Sequence, residues 1–201
     1  APPDYQQGES YRSIFIHVPS AWMSLFIYMV MAACGGVILV WRMKIADIVL
    51  ISSAPIGASF TFLALATGSL WGKPMWGTWW VGDARLTSEL ILLFLYLGVI
   101  GLHGAIEDKR IAARAIAILA IVGMVNIPII HYSVEWWNSL HQGATVTKFD
   151  KPSIHWSMLI PLLLMALAFQ VYYVLALLQS CRAELLQRER NNKWVEELIA
   201  K

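Results

Sequence analysis

The residues of this 201-residue chain that could do chemistry are few, and aromatic and imidazole groups dominate them. In the stretch Met75-Trp76-Gly77-Thr78-Trp79-Trp80-Val81-Gly82-Asp83, residues Trp76, Trp79, Trp80 and Asp83 follow an i, i+3, i+4, i+7 pattern. A helical turn here sets three indoles and a carboxylate on one side. Such a face serves either as an anchor in the lipid headgroup region or as a platform on which a large flat apolar ligand stacks. Two imidazoles, His17 and His131, come from distant parts of the chain. Either alone would serve as an interfacial or hydrogen-bonded histidine. Together with the platform they suggest axial ligation of a haem iron, because neutral imidazole nitrogen is a good donor to iron. Trp136 and Trp137 extend the aromatic surface.

The acidic edge of such a ligand needs cations. Arg85 and Lys73 are available, arginine through two parallel hydrogen bonds, although both also fit interfacial snorkelling. Asp83 is expected to orient Arg85 or to receive an indole N–H, and Glu135, four residues after His131, to orient that histidine. His141 and His155 are rival ligands, whereas His103 is expected to be structural.

The elements that must position these groups are membrane-spanning. Hydrophobic residues make up 58% of the chain and charged ones 14%, against about 45–50% and about 25% in soluble domains. The apolar residues fall into five blocks, at 18–41, 45–70, 86–106, 111–132 and 156–179, each near the length an α-helix needs to cross about 30 Å of hydrocarbon. The expectation is an all-α polytopic bundle of five spans, a single domain over 1–201 whose 180–201 segment is a charged cytoplasmic tail, with a Trp-rich surface helix or loop between spans two and three. Pro55, Pro128 and Pro161 lie inside spans and predict kinks. With the N-terminal segment outside, ten of the fifteen Lys and Arg residues fall inside: Arg42, Lys44, Lys109, Arg110, Arg114, Arg182, Arg188, Arg190, Lys193 and Lys201. That orientation puts His17, His131 and eight of the ten tryptophans at or near the outer face, where both long connections also lie.

Net charge is only +2, so no general basic field points to nucleic acid. Cys34 and Cys181 show no Cys-x-x-Cys spacing, which leaves no thiol redox motif and no covalent c-type haem site. No Walker A sequence, nucleophile elbow or His-Glu-x-x-His motif occurs, so ATP hydrolysis and hydrolytic catalysis have no visible apparatus.

Three segments carry a resemblance: WGKPM followed by WGTWWVGDARLTSE (71–89), NIPIIHYSVEWWNSLHQG (126–143) and SYRSIFIHVPSAW (10–22). They resemble the bacterial haem exporter protein C family of cytochrome c maturation over nearly the whole chain. The resemblance implies a multi-pass protein of the bacterial inner membrane that presents non-covalent, transiently held b-type haem at its periplasmic face. It implies delivery to the haem chaperone protein E, with the small single-span protein D and the ABC transporter proteins A and B assisting. It also implies that the family's outer histidines fall on His17 and His131, and its tryptophan motif on Trp76, Trp79, Trp80 and Asp83. Two departures stand out. Gly82 occupies a position where the family pattern has tryptophan, which is expected to weaken the platform or loosen the turn. Members usually carry six spans, and the sixth is expected upstream of Ala1. Two other readings stay open: a permease that moves haem or another solute through the bilayer, and an assembly scaffold whose tryptophans only anchor it or meet a partner.

Overall fold

The computed structural model describes residues 3–137, 139, 141, 143, 146, 151 and 153–199. Lys148 and Lys201, both counted in the charge balance, and Ala1 lie outside the described residues. After a short 3-10 turn at Ser10–Ser13 the helices are α1 (Ile14–Trp41), α2 (Lys44–Trp76), α3 (Ala84–Ala105), α4 (Lys109–Gly123), α5 (Asn126–Trp136), α6 (Trp156–Arg188) and α7 (Lys193–Ile199). Among the described residues, five segments are long and apolar enough to cross a membrane: Ser10–Trp41, Lys44–Trp76, Ala84–Ala105, Lys109–Trp136 and Trp156–Arg188. The chain is an all-α, multi-pass membrane protein, as its composition predicts. In hydrocarbon only a helix satisfies each backbone N–H and C=O within its own segment.

Local chemistry sets the helix ends. Asp108 caps α4 by accepting the N–H groups of Arg110 (2.8 Å) and Ile111 (3.1 Å), and Asp83 caps α3 by accepting that of Leu86 (2.9 Å). Arg42, in the left-handed region at φ 53°, ends α1 with its N–H on the Ile38 carbonyl. The fourth span is not one continuous helix as the sequence suggests. Pro128 cannot donate to the Met124 carbonyl, so that oxygen takes the N–H of Ile127 instead (3.0 Å). The chain bends between α4 and α5, and the Asn126 side chain ties the bend to α3 through the Ser88 carbonyl (2.8 Å).

α1 is the central stave, packing against α2, α4 and α6, while α3 packs against α2, α4 and α5. Ile27, Tyr28, Met31, Leu50, Leu92, Tyr96, Val99 and Ile116 are fully buried between them. Tyr28 and Tyr96 meet edge to face, 5.2 Å between ring centroids, and the Tyr96 hydroxyl donates to the Ser24 carbonyl (2.7 Å). A buried tyrosine needs such a partner. At Gly57 the missing side chain makes room for that ring, since a Cβ would lie 2.2 Å from Tyr96 Cε1. α6 is the least enclosed span, with Leu163, Leu164, Leu167, Val171, Leu175 and Leu178 exposed, as suits a helix that faces lipid. At the end remote from His17, Arg188 of α6 pairs with Asp47 of α2 and Glu184, and Lys44 pairs with Glu189.

Gly57→Ala is expected to lower stability by about 1–3 kcal/mol, the usual cost of overpacking a closed contact. The check is a lower thermal midpoint in detergent, with Gly36→Ala, where a Cβ meets nothing within 4 Å, as the silent control.

Candidate functional site

Of the surface helix or loop expected between spans two and three, the structure has the loop. α2 ends at Trp76, because Gly77 adopts φ 76° and closes the helix with its N–H on the Lys73 carbonyl (3.0 Å), while the Lys73 ammonium donates to the Gly77 carbonyl (3.0 Å). The chain then runs without helix to Asp83. Trp76 is half-buried, whereas Trp79 and Trp80 are exposed in the loop, Trp79 with the Lys73 ammonium 5.7 Å from its ring. A Cβ at Gly82 would meet nothing within 4 Å.

His17 is held in the contact between α1 and α2. Its Nδ1 lies 2.9 Å from the Ala64 carbonyl and 3.3 Å from Thr67 Oγ1. A carbonyl oxygen only accepts, so Nδ1 carries the proton and Nε2 keeps its lone pair. Gly68 supplies the space, since a Cβ there would lie 2.9 Å from His17 Cε1. Trp71 closes the other side, edge-on with ring centroids 5.9 Å apart, and its indole N–H donates to Gln7 Oε1 (3.1 Å).

The second group forms around Asp83. Its Oδ1 caps α3, and its Oδ2 lies 2.7 Å from His141 Nδ1 and accepts from Ser139 Oγ. Asp83 therefore orients a histidine rather than Arg85 or an indole. The carboxylate is again an acceptor, so His141 also donates through Nδ1 and leaves Nε2 free, the arrangement that fixes tautomer and ring in many metal-binding histidines. The Trp76 ring stands edge-on to His141, 4.8 Å between centroids. Burial holds the His141 imidazole below its ordinary pKa and the Asp83 contact recovers only part of that, so the ring stays neutral into mildly acidic solution. For Asp83, burial alone would raise the carboxyl. Hydrogen bonds from Ser139, the Leu86 N–H and His141 outweigh it and hold the group below the usual carboxylate range.

Arg85, the second residue of α3, is half-buried, and its guanidinium makes no hydrogen bond or ion pair with the described residues. Its charge reaches Asp83, Glu89, His17 and His141, and that of His141 reaches His17. His17, His141, Asp83, Trp71, Trp76 and Arg85 thus form one neighbourhood. His131 is elsewhere in the contact network: exposed on α5, edge-on to Tyr132 at 4.7 Å, at the head of an aromatic series in which Tyr132 stacks on Trp136 (5.4 Å) and Trp136 meets Trp137 (5.8 Å). No side-chain hydrogen bond joins it to Glu135 among the described residues. His155 caps α6, its Nδ1 accepting the Ser157 N–H (3.3 Å), which puts the ring proton on Nε2. His103 lies near the far end of α3.

The Asp83 carboxylate carries a pH signature. Its folded value is depressed, so its stabilisation is complete above about pH 4 and is lost as pH falls through the lower folded value. The melting advantage of the wild type over Asp83→Asn is expected to be full near neutral pH and to disappear on acidification. A gap that does not change with pH would show that the charge does not hold this corner.

A sequence profile described as heme exporter protein C, CcmC, matches residues 1–196. Among similar proteins, the heme exporter protein C of Haemophilus influenzae is 54% identical over 198 residues, covering 98% of this chain and 80% of the relative. That of Escherichia coli K12 is 55% identical over 201 residues, 100% of this chain and 81% of the relative. A putative cytochrome c biosynthesis ccmC-like mitochondrial protein of Marchantia polymorpha is 49% identical over 169 residues, 84% of this chain and 71% of the relative. With the match running over almost its full length, the chain belongs to the heme exporter protein C family.

Proposed function

We propose that this protein binds haem non-covalently and transiently at the end of the bundle that carries His17 and Asp83, and passes it on during cytochrome c maturation. The names of its relatives, heme export in bacteria and cytochrome c biosynthesis in the plant mitochondrial protein, support haem as the cargo. The observation that carries the reading is the paired imidazoles. His17 and His141, 124 positions apart in sequence, each tie Nδ1–H to an oxygen and leave Nε2 as a donor, which is the preparation a b-type haem iron needs from two axial ligands. The sequence pairs His17 with His131; the geometry favours His141, whose charge reaches His17 and whose ring is already oriented.

Arg85 is the cation for the haem propionates, since its guanidinium is in no ion pair among the described residues and it is near both imidazoles, whereas Lys73 is spent on the end of α2. Trp76 and Trp71 wall the two histidines, and the exposed Trp79, Trp80, Trp136 and Trp137 offer π-faces to the ring or to a receiving protein. The excess of basic residues at the opposite end supports placing this face on the periplasmic side of the bacterial inner membrane. The receiving partner in this reading is the haem chaperone protein E, assisted by protein D and the ABC transporter proteins A and B. The protein's own contribution is positioning of cargo rather than bond-making.

The optical spectrum of the haem-loaded protein tests this. His17→Ala and His141→Ala are each expected to lose the six-coordinate Soret signature, while His131→Ala keeps it. Loss in His131→Ala with an unchanged His141→Ala spectrum returns the second ligand to α5, and unchanged spectra in all three sink the reading. Gly68→Ala, which drives a methyl into the His17 ring, is expected to weaken haem binding by roughly 10-fold or more, as displaced supports of metal ligands do. A haem titration in detergent measures it.

A further inference from the structure

We propose that Gln7 is a positioning residue for the haem site: through the indole N–H of Trp71 it fixes the plane in which the His17 imidazole meets an iron. The inference rests on the haem reading above and adds to it a residue of the N-terminal segment that acts through another side chain.

The segment ahead of α1 is built to hold Gln7 still. Asp4 Oδ1 accepts the backbone N–H groups of Gln6 (3.0 Å) and Gln7 (2.9 Å), and Asp4 and Gly8 exchange backbone hydrogen bonds of 3.2 and 3.0 Å across the turn. An aspartate that accepts from the residue two positions on stabilises such a turn without help from a helix or sheet. Gly8, at φ 56°, turns the chain back, and the Ser10 N–H returns to the Gln7 carbonyl (3.1 Å). Tyr11, 4% exposed and edge-on to Phe15 of α1, then anchors the 3-10 turn on the bundle. A closed turn, not a free end, delivers the half-buried Gln7 side chain to α2.

An indole N–H only donates, so Gln7 presents its amide oxygen to Trp71, 3.1 Å away and 64 positions along the chain. On His17, the Nδ1–H bond to Ala64 holds one corner of the ring. The terminal torsion of a histidine is broad and one hydrogen bond tolerates some tilt, so contacts with neighbours must define the ring plane. Two do. Gly68 lies against Cε1, where a Cβ would stand 2.9 Å away, and the Trp71 ring meets the imidazole edge-on at 5.9 Å and 74°. A wall that can itself turn sets no angle. The helix fixes the Trp71 backbone, and the Gln7 bond restrains the two side-chain torsions that remain. The plane matters because the iron orbitals that overlap an axial imidazole follow its orientation. In low-spin ferric haem with two imidazole ligands, the angle between their planes is read in the electron paramagnetic resonance g values.

The test compares wild type, Gln7→Met, Gln7→Glu and Trp71→Phe, each as the full chain in detergent. Without haem, the indole N–H proton resonance that Trp71→Phe removes is expected to move upfield in Gln7→Met, which keeps the length and loses the acceptor. In Gln7→Glu, which keeps the acceptor, it stays hydrogen-bonded. With ferric haem, Gln7→Met is expected to keep the six-coordinate Soret band, to shift and broaden the g values, and to release haem about 2- to 10-fold faster, the range of one neutral hydrogen bond. Gln7→Glu restores both. Trp71→Phe is expected to change the g values too, which serves should Gln7→Met fail to fold, and Gln7→Met added to Trp71→Phe brings no further change. Unchanged g values and release in Gln7→Met, an unmoved indole resonance, or an equal effect of Gln7→Met with and without the indole overturns the positioning role and leaves haem binding standing. Absence of the Soret band in wild type overturns the haem reading and this role with it.

Discussion

The two oxygens of the Asp83 carboxylate face different parts of the molecule. One closes the first turn of α3 through the Leu86 N–H; the other holds His141 and Ser139 of a connection 56 to 58 positions away. Because the same group starts a membrane span and fixes a candidate ligand, the position of His141 is referenced to the bundle rather than to its own loop. The same placement brings Trp76, the last residue of α2, against the imidazole, with Arg85 close by and in no ion pair among the described residues. What is proposed of the second imidazole, its orientation and its free Nε2, depends on that corner staying ionised and closed.

The spans were legible because lipid imposes a simple code: some twenty apolar residues, interrupted by short polar turns. The Pro128 bend was visible as a proline, but not as a break, since hydropathy runs on unchanged through Asn126. The tryptophan segment stayed open between helix and loop for an identifiable reason. The i, i+3, i+4, i+7 spacing of Trp76 to Asp83 matches a helical face, yet Gly77 closes α2 in the left-handed region, and a pattern count does not see backbone sign. A glycine directly after the last apolar turn was the available warning.

The site itself was legible by residue type and not by partner. Histidines, indoles and Arg85 stood out at once. That Asp83 would serve His141, that Ala64 and Gly68 would frame His17, and that Ser24 would meet Glu89 are contacts made across 47 to 65 positions, with no local periodicity to reveal them. Glu89 in particular reads as one more residue near a helix start until α1 is packed against it.

The two imidazoles are anchored unequally, which would give an order to the departure of a ligand held by both. Freeing His141 costs its bond to one carboxylate, a few kcal/mol for a charged acceptor. Freeing His17 means prising α1 from α2, with Trp71 and Gly68 closed around the ring. A porphyrin spanning both would let go of the loop first and pivot on the wall, exposing one face of its metal to an incoming donor while the other stays bound.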